Sequence, residues 1–180
     1  MASVLVPLAQ GCEELEAVTI IDLLVRAGVA VTTAGLDNHP VTASRGVVLV
    51  PSTDLDTALE SEYDMVVLPG GLPGADHLEN DPRIRNLLVK MANSGKYTAA
   101  ICAAPKVLAS AGLLEGKKAT AYPGVLDAIG KQSEVEAVVK DGAVVTSRGP
   151  GTAMDFALEL IELLTGKEKR DEVEKGLVRD

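Results

Sequence analysis

Cys102 lies at the end of a short apolar run and directly before helix-forming residues, within the stretch Tyr97–Lys106. This order predicts a strand, a sharp turn and a helix, which is the form of a nucleophile elbow. Such an elbow has small residues two positions either side of the nucleophile, and Ala100 and Ala104 occupy those positions here. The positive end of the helix dipole favours a thiolate. Cys102 is therefore a candidate nucleophile with a depressed pKa, although a small buried cysteine at a strand end would give the same pattern.

Two further segments interrupt apolar runs. Gly11-Cys12 is followed by the acidic residues of Glu13–Glu16, which the dipole favours in the first turn of a helix. Gly70-Gly71 follows a continuous apolar run, and a chain that turns there can present bare backbone N–H groups. The sequence has no phosphate-binding loop, and this glycine segment lacks the spacing of a dinucleotide site.

The elements around these segments predict an α/β fold. Strands are predicted at Ser3–Ala9, Val29–Thr33, Val47–Val50, Asp64–Leu68 and Tyr97–Ile101, and a β-hairpin is predicted at Val135–Val139 and Ala143–Thr146. Helices begin after Gly11-Cys12, at Asp81-Pro82, after Cys102 and at Ala153, and the charged last stretch is also predicted to be helical. One face of the first helix is mostly apolar and carries Leu15, Val18, Ile21, Asp22 and Val25. Strands that alternate with helices indicate a mostly parallel sheet between helix layers, with the functional cleft at the carboxyl ends of the strands. We therefore expect the carboxylates, the glycine turn and the thiol on one sheet edge.

Composition excludes several classes of protein. The 180 residues fit one domain, 1–180. The net charge is −9, and the chain has one Phe and no Trp, so it lacks the basic surface and the stacking side chains that stable nucleic-acid binding requires. The two cysteines lie far apart without metal-ligand spacing, so we expect neither a zinc site nor a disulfide. No apolar stretch approaches the length of a membrane span. These features predict a cytoplasmic protein that works without a metal or other cofactor.

Four segments together resemble the ThiJ/PfpI superfamily. They are Gly11–Glu16, Asp64–Gly71, Ala99–Pro105 and Thr146–Thr152, and they occur in the order and spacing of that superfamily across nearly the whole chain. The chain is most similar to the branch that contains the Parkinsonism-associated protein deglycase and its bacterial relatives. The resemblance implies a flavodoxin-like three-layer sandwich and a homodimer.

The resemblance also implies roles for individual residues. Cys102 would be the nucleophile, and Glu16 would be a carboxylic acid hydrogen-bonded to it. A glutamate that faces a thiolate is disfavoured in its charged form, so it would keep its proton and donate to the sulfur. The backbone N–H groups of Gly71 and Ala103 would form an oxyanion pocket, with Gly70 supporting the turn. Without the family, Glu16 would be interpreted as an ordinary acid at a helix start, as Glu13 and Glu14 are.

Two departures from the superfamily bear on the chemistry. Tyr122 stands where several relatives carry a histidine, and a neutral phenol can orient a substrate but is a poor base at neutral pH. Ala103 stands where the protease-like branch has histidine, which disfavours cysteine peptidase or amidase activity. The two histidines, His39 and His77, are interpreted as surface residues, and the sequence leaves open whether Tyr122 or His77 replaces the missing histidine.

Two functions remain open from the sequence. The first is a hydrolase or lyase that acts on methylglyoxal, glyoxal and their early glycation adducts, as a protein deglycase or glutathione-independent glyoxalase. The second is a redox sensor or chaperone in which the same cysteine is oxidised. Arg45 is a possible substrate-orienting residue, and Arg148 has similar surroundings in the sequence. Arg26 and Arg45 are candidates for the dimer interface, and Cys12 is interpreted as a small buried residue.

Overall fold

Strands and helices alternate along the chain in the computed structural model, which describes residues 1–179. The strands are β1 (Ser3–Leu8), β2 (Ala30–Gly35), β3 (Val41–Thr42), β4 (Val48–Leu49), β5 (Thr53–Asp54), β6 (Met65–Leu68), β7 (Tyr97–Ile101), β8 (Val138–Asp141) and β9 (Val144–Ser147). The helices are α1 (Glu14–Arg26), α2 (Leu55–Ala58), α3 (Gly74–Asn80), α4 (Pro82–Asn93), α5 (Pro105–Ser110), α6 (Ala153–Thr165) and α7 (Lys167–Gly176).

Seven strands form one sheet in the order β5-β2-β1-β6-β7-β9-β8. All neighbouring pairs are parallel except β8 and β9, which form an antiparallel hairpin at one edge. Strands β3 and β4 pair separately as a short antiparallel hairpin, called here the β3–β4 hairpin. The predicted α/β class, the parallel sheet and the edge hairpin are confirmed.

Each face of the sheet is covered by its own helices. Ile20 of α1 and Phe156 of α6 belong to the apolar cluster on one face, and Leu88 of α4 and Leu108 of α5 belong to the cluster on the other. These four side chains are fully buried. The central strands are apolar on both faces for this reason, as expected of parallel strands between helix layers. The result is the three-layer, flavodoxin-like arrangement.

The structure differs from the sequence-based prediction in three respects. Two short strands, β3 and β5, and the short helices α2 and α3 have too few residues to leave a periodic pattern, and they were not predicted. The edge hairpin turns at Gly142-Ala143, so Val135 lies outside it. The spacing of Leu15, Val18 and Val25 marks an apolar face of α1, but these residues are about half exposed, at 51%, 48% and 56%.

No helix in residues 1–179 has the length and apolar character needed to cross a bilayer.

Candidate active site

Cys102 follows β7 on a sharp turn. Its φ is +63°, in the left-handed region that a residue with a side chain occupies at a cost of about 1–3 kcal/mol. Two hydrogen bonds hold the turn: the Cys102 N–H donates to the Ser147 carbonyl at 3.0 Å, and the Cys102 carbonyl accepts from the Tyr122 N–H at 2.8 Å. Ala100 and Ala104 are fully buried on either side. This is the elbow geometry that the sequence predicted, and it leaves Cys102 with 8% exposure.

Glu16 lies in the first turn of α1 and is fully buried. Its Oε2 accepts a hydrogen bond from the Gly70 N–H at 2.8 Å, whereas its buried Oε1 has no hydrogen-bond partner in residues 1–179. The Cys102 side chain is close enough to affect the titration of this carboxyl group. If Glu16 is protonated and donates a hydrogen bond to the Cys102 sulfur, the second oxygen of the carboxyl group would also have a hydrogen-bond partner. Burial is the main cause that raises the pKa of Glu16 to about 7.

The glycine turn after β6 fits tightly between the cysteine and the start of α1. A Cβ on Gly70 would lie 2.6 Å from the Cβ of Cys102 and 2.8 Å from Glu16 Oε2. Gly71 has a φ of +87°, and a Cβ there would lie 2.4 Å from the Glu13 nitrogen. Both positions therefore require glycine. The backbone N–H groups of Gly71 and Ala103 face the Cys102 thiol and stabilise its anion.

The pKa of Cys102 differs from the sequence-based prediction. Burial is the largest influence and raises the pKa to about 12, with the negative charge of Glu16 second, and the N–H groups of Gly71 and Ala103 only partly oppose this rise. The prediction of a depressed pKa is therefore wrong, because burial outweighs the helix dipole. A proton on Glu16 would remove the charge that is the second cause. The two groups thus form a coupled pair in which ionisation of one opposes ionisation of the other.

Tyr122, Arg45 and the two histidines are all exposed residues. Tyr122 adjoins the elbow through its backbone, but its side chain is 51% exposed and its ring lies over Gly149. The Arg45 side chain is exposed, and in residues 1–179 its guanidinium makes no hydrogen bond or ion pair. His77 on α3 and His39 are exposed, which agrees with their interpretation as surface residues.

The three remaining residues are Arg26, Arg148 and Cys12. Arg26 pairs with Asp22 at 2.7 Å at the far end of α1, and Arg148 is exposed. Cys12 is 1% exposed, and burial is the main cause that raises its pKa to about 11. Within the described part of the chain, no cluster of three or more His, Cys, Asp or Glu side chains has a geometry suited to a metal ion.

Glu14 has a role that the sequence did not reveal. Its carboxylate accepts hydrogen bonds from the Ser44 hydroxyl at 3.0 Å and the Arg45 N–H at 2.8 Å, and so holds the turn of the β3–β4 hairpin against α1. Burial acts to raise the pKa of Glu14, but these hydrogen bonds outweigh it and keep the pKa below its usual value. No local pattern distinguishes such a residue from an ordinary acid at a helix start.

The model of the DJ-1/PfpI family matches residues 2–163 of the sequence. The chain belongs to the DJ-1/PfpI family. This match agrees with the resemblance carried by the four sequence segments. The matched range includes the whole site, because α1, the glycine turn, the elbow and Tyr122 all lie within it.

Individual relatives agree with the family match. The crystal structure of Drosophila melanogaster DJ-1beta has a TM-score of 0.95 and 44% identity, and the match covers 99% of this chain and 98% of that one. Glutathione-independent glyoxalase DJR-1.2 of Caenorhabditis elegans is 36% identical, over 98% of this chain and 95% of the relative. Protein DJ-1 homolog B of Arabidopsis thaliana is 47% identical over 96% of this chain, which spans 40% of that relative's length. The chain thus corresponds to less than half of this DJ-1/PfpI relative.

Proposed function

We propose that this chain is a cysteine-dependent enzyme that converts reactive dicarbonyls such as methylglyoxal and glyoxal to hydroxy acids. Early glycation adducts on protein belong to the same substrate class, and no cofactor is needed. The observation that carries the proposal is the buried pair of Glu16, with a pKa of about 7, and Cys102, which two backbone N–H groups face. Such a pair can hold and release one proton near neutral pH, as acid–base catalysis requires. The glyoxalase name of the C. elegans relative supports this class of reaction.

The first step is attack of the Cys102 sulfur on the aldehyde carbon of methylglyoxal. A carbon–sulfur bond forms, and the carbonyl electron pair moves onto the oxygen. The N–H groups of Gly71 and Ala103 stabilise that oxyanion as charge leaves the sulfur. Protonation of the oxygen by Glu16 then gives a hemithioacetal.

Glu16 is the proton carrier in the second step. As a carboxylate it removes the hydrogen from the former aldehyde carbon as a proton and returns it to the adjacent carbonyl carbon, through an enediol. The proton of the hemithioacetal hydroxyl passes to the adjacent carbonyl oxygen, so that oxygen becomes the hydroxyl group of the product and the former aldehyde carbon becomes the thioester carbonyl. The aldehyde carbon is oxidised and its neighbour is reduced, so no external oxidant is needed. Water then cleaves the carbon–sulfur bond of the resulting thioester, which releases lactate and restores the Cys102 thiol.

We also propose that the protein acts as a homodimer. Leu15, Val18 and Val25 form an exposed apolar stripe along α1, and Val48 of the β3–β4 hairpin is 59% exposed. Glu14 holds that hairpin against the start of α1, so the two exposed apolar areas are neighbours. A second copy of the chain would remove this apolar surface from water. Val89, 38% exposed on α4 in the opposite helix layer, provides a control position.

Lactate formation from methylglyoxal without glutathione tests the proposed reaction. We expect product from wild type and from Cys12→Ser, and none above the uncatalysed rate from Cys102→Ser. Thermal unfolding of both variants checks that they fold. Lactate formation by folded Cys102→Ser at the wild-type rate would contradict the proposal. A redox sensor would instead show oxidation of Cys102 in wild type with no cysteine-dependent product.

A further inference from the structure

Lys106 lies in the first turn of α5, four residues after Cys102. A cation at this place is opposed by the positive end of the helix dipole. The Lys106 side chain is also largely buried, with 19% exposure. A lysine in such surroundings requires carboxylate partners.

Those partners are Asp76 and Glu79, which both belong to α3. The Lys106 ammonium group donates a hydrogen bond to Asp76 and lies 3.3 Å from the Glu79 carboxylate. Burial acts to lower the pKa of Lys106, but the contacts with the two carboxylates outweigh it and leave the pKa above its usual value. Lys106 therefore stays charged at neutral pH. Within residues 1–179 these contacts are the only ion pairs that join α3 to α5.

The two helices continue the two segments that carry the oxyanion N–H groups. Gly71 lies three residues before α3, and Ala103 lies two residues before α5. On its other side the glycine turn is tied to the start of α1, since the Glu13 N–H donates to the Gly70 carbonyl at 2.9 Å and the Gly70 N–H donates to Glu16. Those bonds fix the turn relative to Glu16.

We propose that Lys106 is a positioning residue that sets the separation of the Gly71 and Ala103 N–H groups across the Cys102 sulfur. The inference rests on the proposed function, in which both N–H groups stabilise the anion on sulfur and then the oxyanion of the substrate. Without the ammonium group, α3 and α5 would lose the ion pairs that join them, and α3 would move relative to α5. Displaced donors would stabilise both anions less well.

The test compares Lys106→Met, Lys106→Arg and Lys96→Met. Lys96→Met is the matched control because Lys96 also forms an ion pair, with Asp64 at 2.8 Å. Asp64 and Lys96 directly precede β6 and β7, so their ion pair lies at the ends of these strands that are opposite to the site. Two quantities are measured for each protein: the pH dependence of Cys102 alkylation by iodoacetamide, and kcat and KM for lactate formation. Alkylation reports on the thiolate alone and does not depend on the identity of the substrate.

For Lys106→Met we expect a kcat about tenfold lower with little change in KM, and an alkylation profile moved to higher pH. The effect is smaller than the roughly 10²–10³-fold loss for a deleted oxyanion donor, because the donors are displaced and not removed. Lys106→Arg should restore most of both quantities, since a guanidinium can still pair with two carboxylates. Lys96→Met should resemble wild type.

Wild-type alkylation and kcat in folded Lys106→Met would overturn the inference, as would an equal loss in Lys96→Met. If Lys106→Met does not fold, Asp76→Asn combined with Glu79→Gln removes the same contacts from the α3 side. That double variant is expected to show the same shift, and an unshifted profile would overturn the inference. If wild type forms no lactate, the proposed function fails and alkylation alone decides the role of Lys106.

Discussion

Replacement of Glu16 by Gln should change how the stability of the protein depends on pH. The pKa of Glu16 is raised from 4.5 to about 7 by burial, so between these values the folded state keeps a proton that the unfolded chain has released. Because the folded state binds more protons there, the free energy of unfolding falls as pH rises through this window. At about 1.36 kcal/mol per pKa unit, the loss amounts to about 3 kcal/mol. The stabilising contribution is fully present below pH 4.5 and absent above about pH 7.

Urea unfolding of wild type and Glu16→Gln at matched pH values measures this effect, from about pH 4.5 to about pH 8. Titrating groups that do not interact with Glu16 cancel in the difference between the two proteins. We expect the free energy of unfolding of wild type, relative to that of Glu16→Gln, to fall by about 3 kcal/mol as the pH rises across the window. Ultraviolet absorbance of the thiolate shows in addition which group of the pair is charged. Thiolate that appears near pH 7 in wild type would mean that Glu16 keeps the shared proton.

A difference that does not depend on pH would refute this reasoning. It would mean that Glu16 titrates in the folded protein as in the unfolded chain, and that the carboxyl group is hydrated or paired with a cation. A difference that moves in favour of wild type as pH rises would mean that the folded state stabilises the carboxylate. Either result would remove the basis for Glu16 as a proton carrier at neutral pH.

Three further predictions concern reactivity and assembly. Glu16→Gln should lower the rate of lactate formation by about 10²–10⁴-fold, whereas Tyr122→Phe should cost less than about twelvefold because it removes about one hydrogen bond; steady-state rates decide, and an inactive Tyr122→Phe would reverse the roles. Burial raises the pKa of Cys102 to about 12 and that of Cys12 to about 11, so the thiolate fraction alone would favour Cys12. Cys102 should still react faster with iodoacetamide, because it is 8% exposed against 1% and a proton on Glu16 removes one cause of its raised pKa; peptide mapping checks this, and faster labelling of Cys12 would count against it. Sedimentation should show a dimer. Val18→Lys should dissociate this dimer, whereas the control Val89→Lys on α4 should not. A wild-type monomer would contradict the dimer proposal.

The sequence was sufficient to predict how the segments of the site converge. Cys102 and Gly70-Gly71 follow predicted strands directly, and the rule for parallel sheets places such segments on one edge. The 2.8 Å hydrogen bond between the Gly70 N–H and Glu16 shows how close that convergence is. The pairing of Glu16 with Cys102 came from the family resemblance, because an acid in the first turn of a helix is common.

The properties that the sequence could not supply depend on three-dimensional burial. The dipole argument for a thiolate at Cys102 is local, whereas the desolvation that raises its pKa comes from residues distant in sequence. The apolar face of α1 was visible in the spacing, but the pattern does not tell which face the core covers, and Leu15 proved to be exposed. Lys106 gave one local signal, a cation in the first turn of a helix, but Asp76 and Glu79 lie on a helix too short to predict.

The most direct test of the central claim needs no substitution. Wild-type protein is alkylated with increasing amounts of iodoacetamide, the modified fraction of Cys102 is found by peptide mapping, and the remaining rate of lactate formation from methylglyoxal is measured on the same samples. The account predicts that the rate falls in proportion to the unmodified fraction of Cys102 and vanishes when this cysteine is fully modified. Lactate formation that persists after complete modification of Cys102 would contradict it.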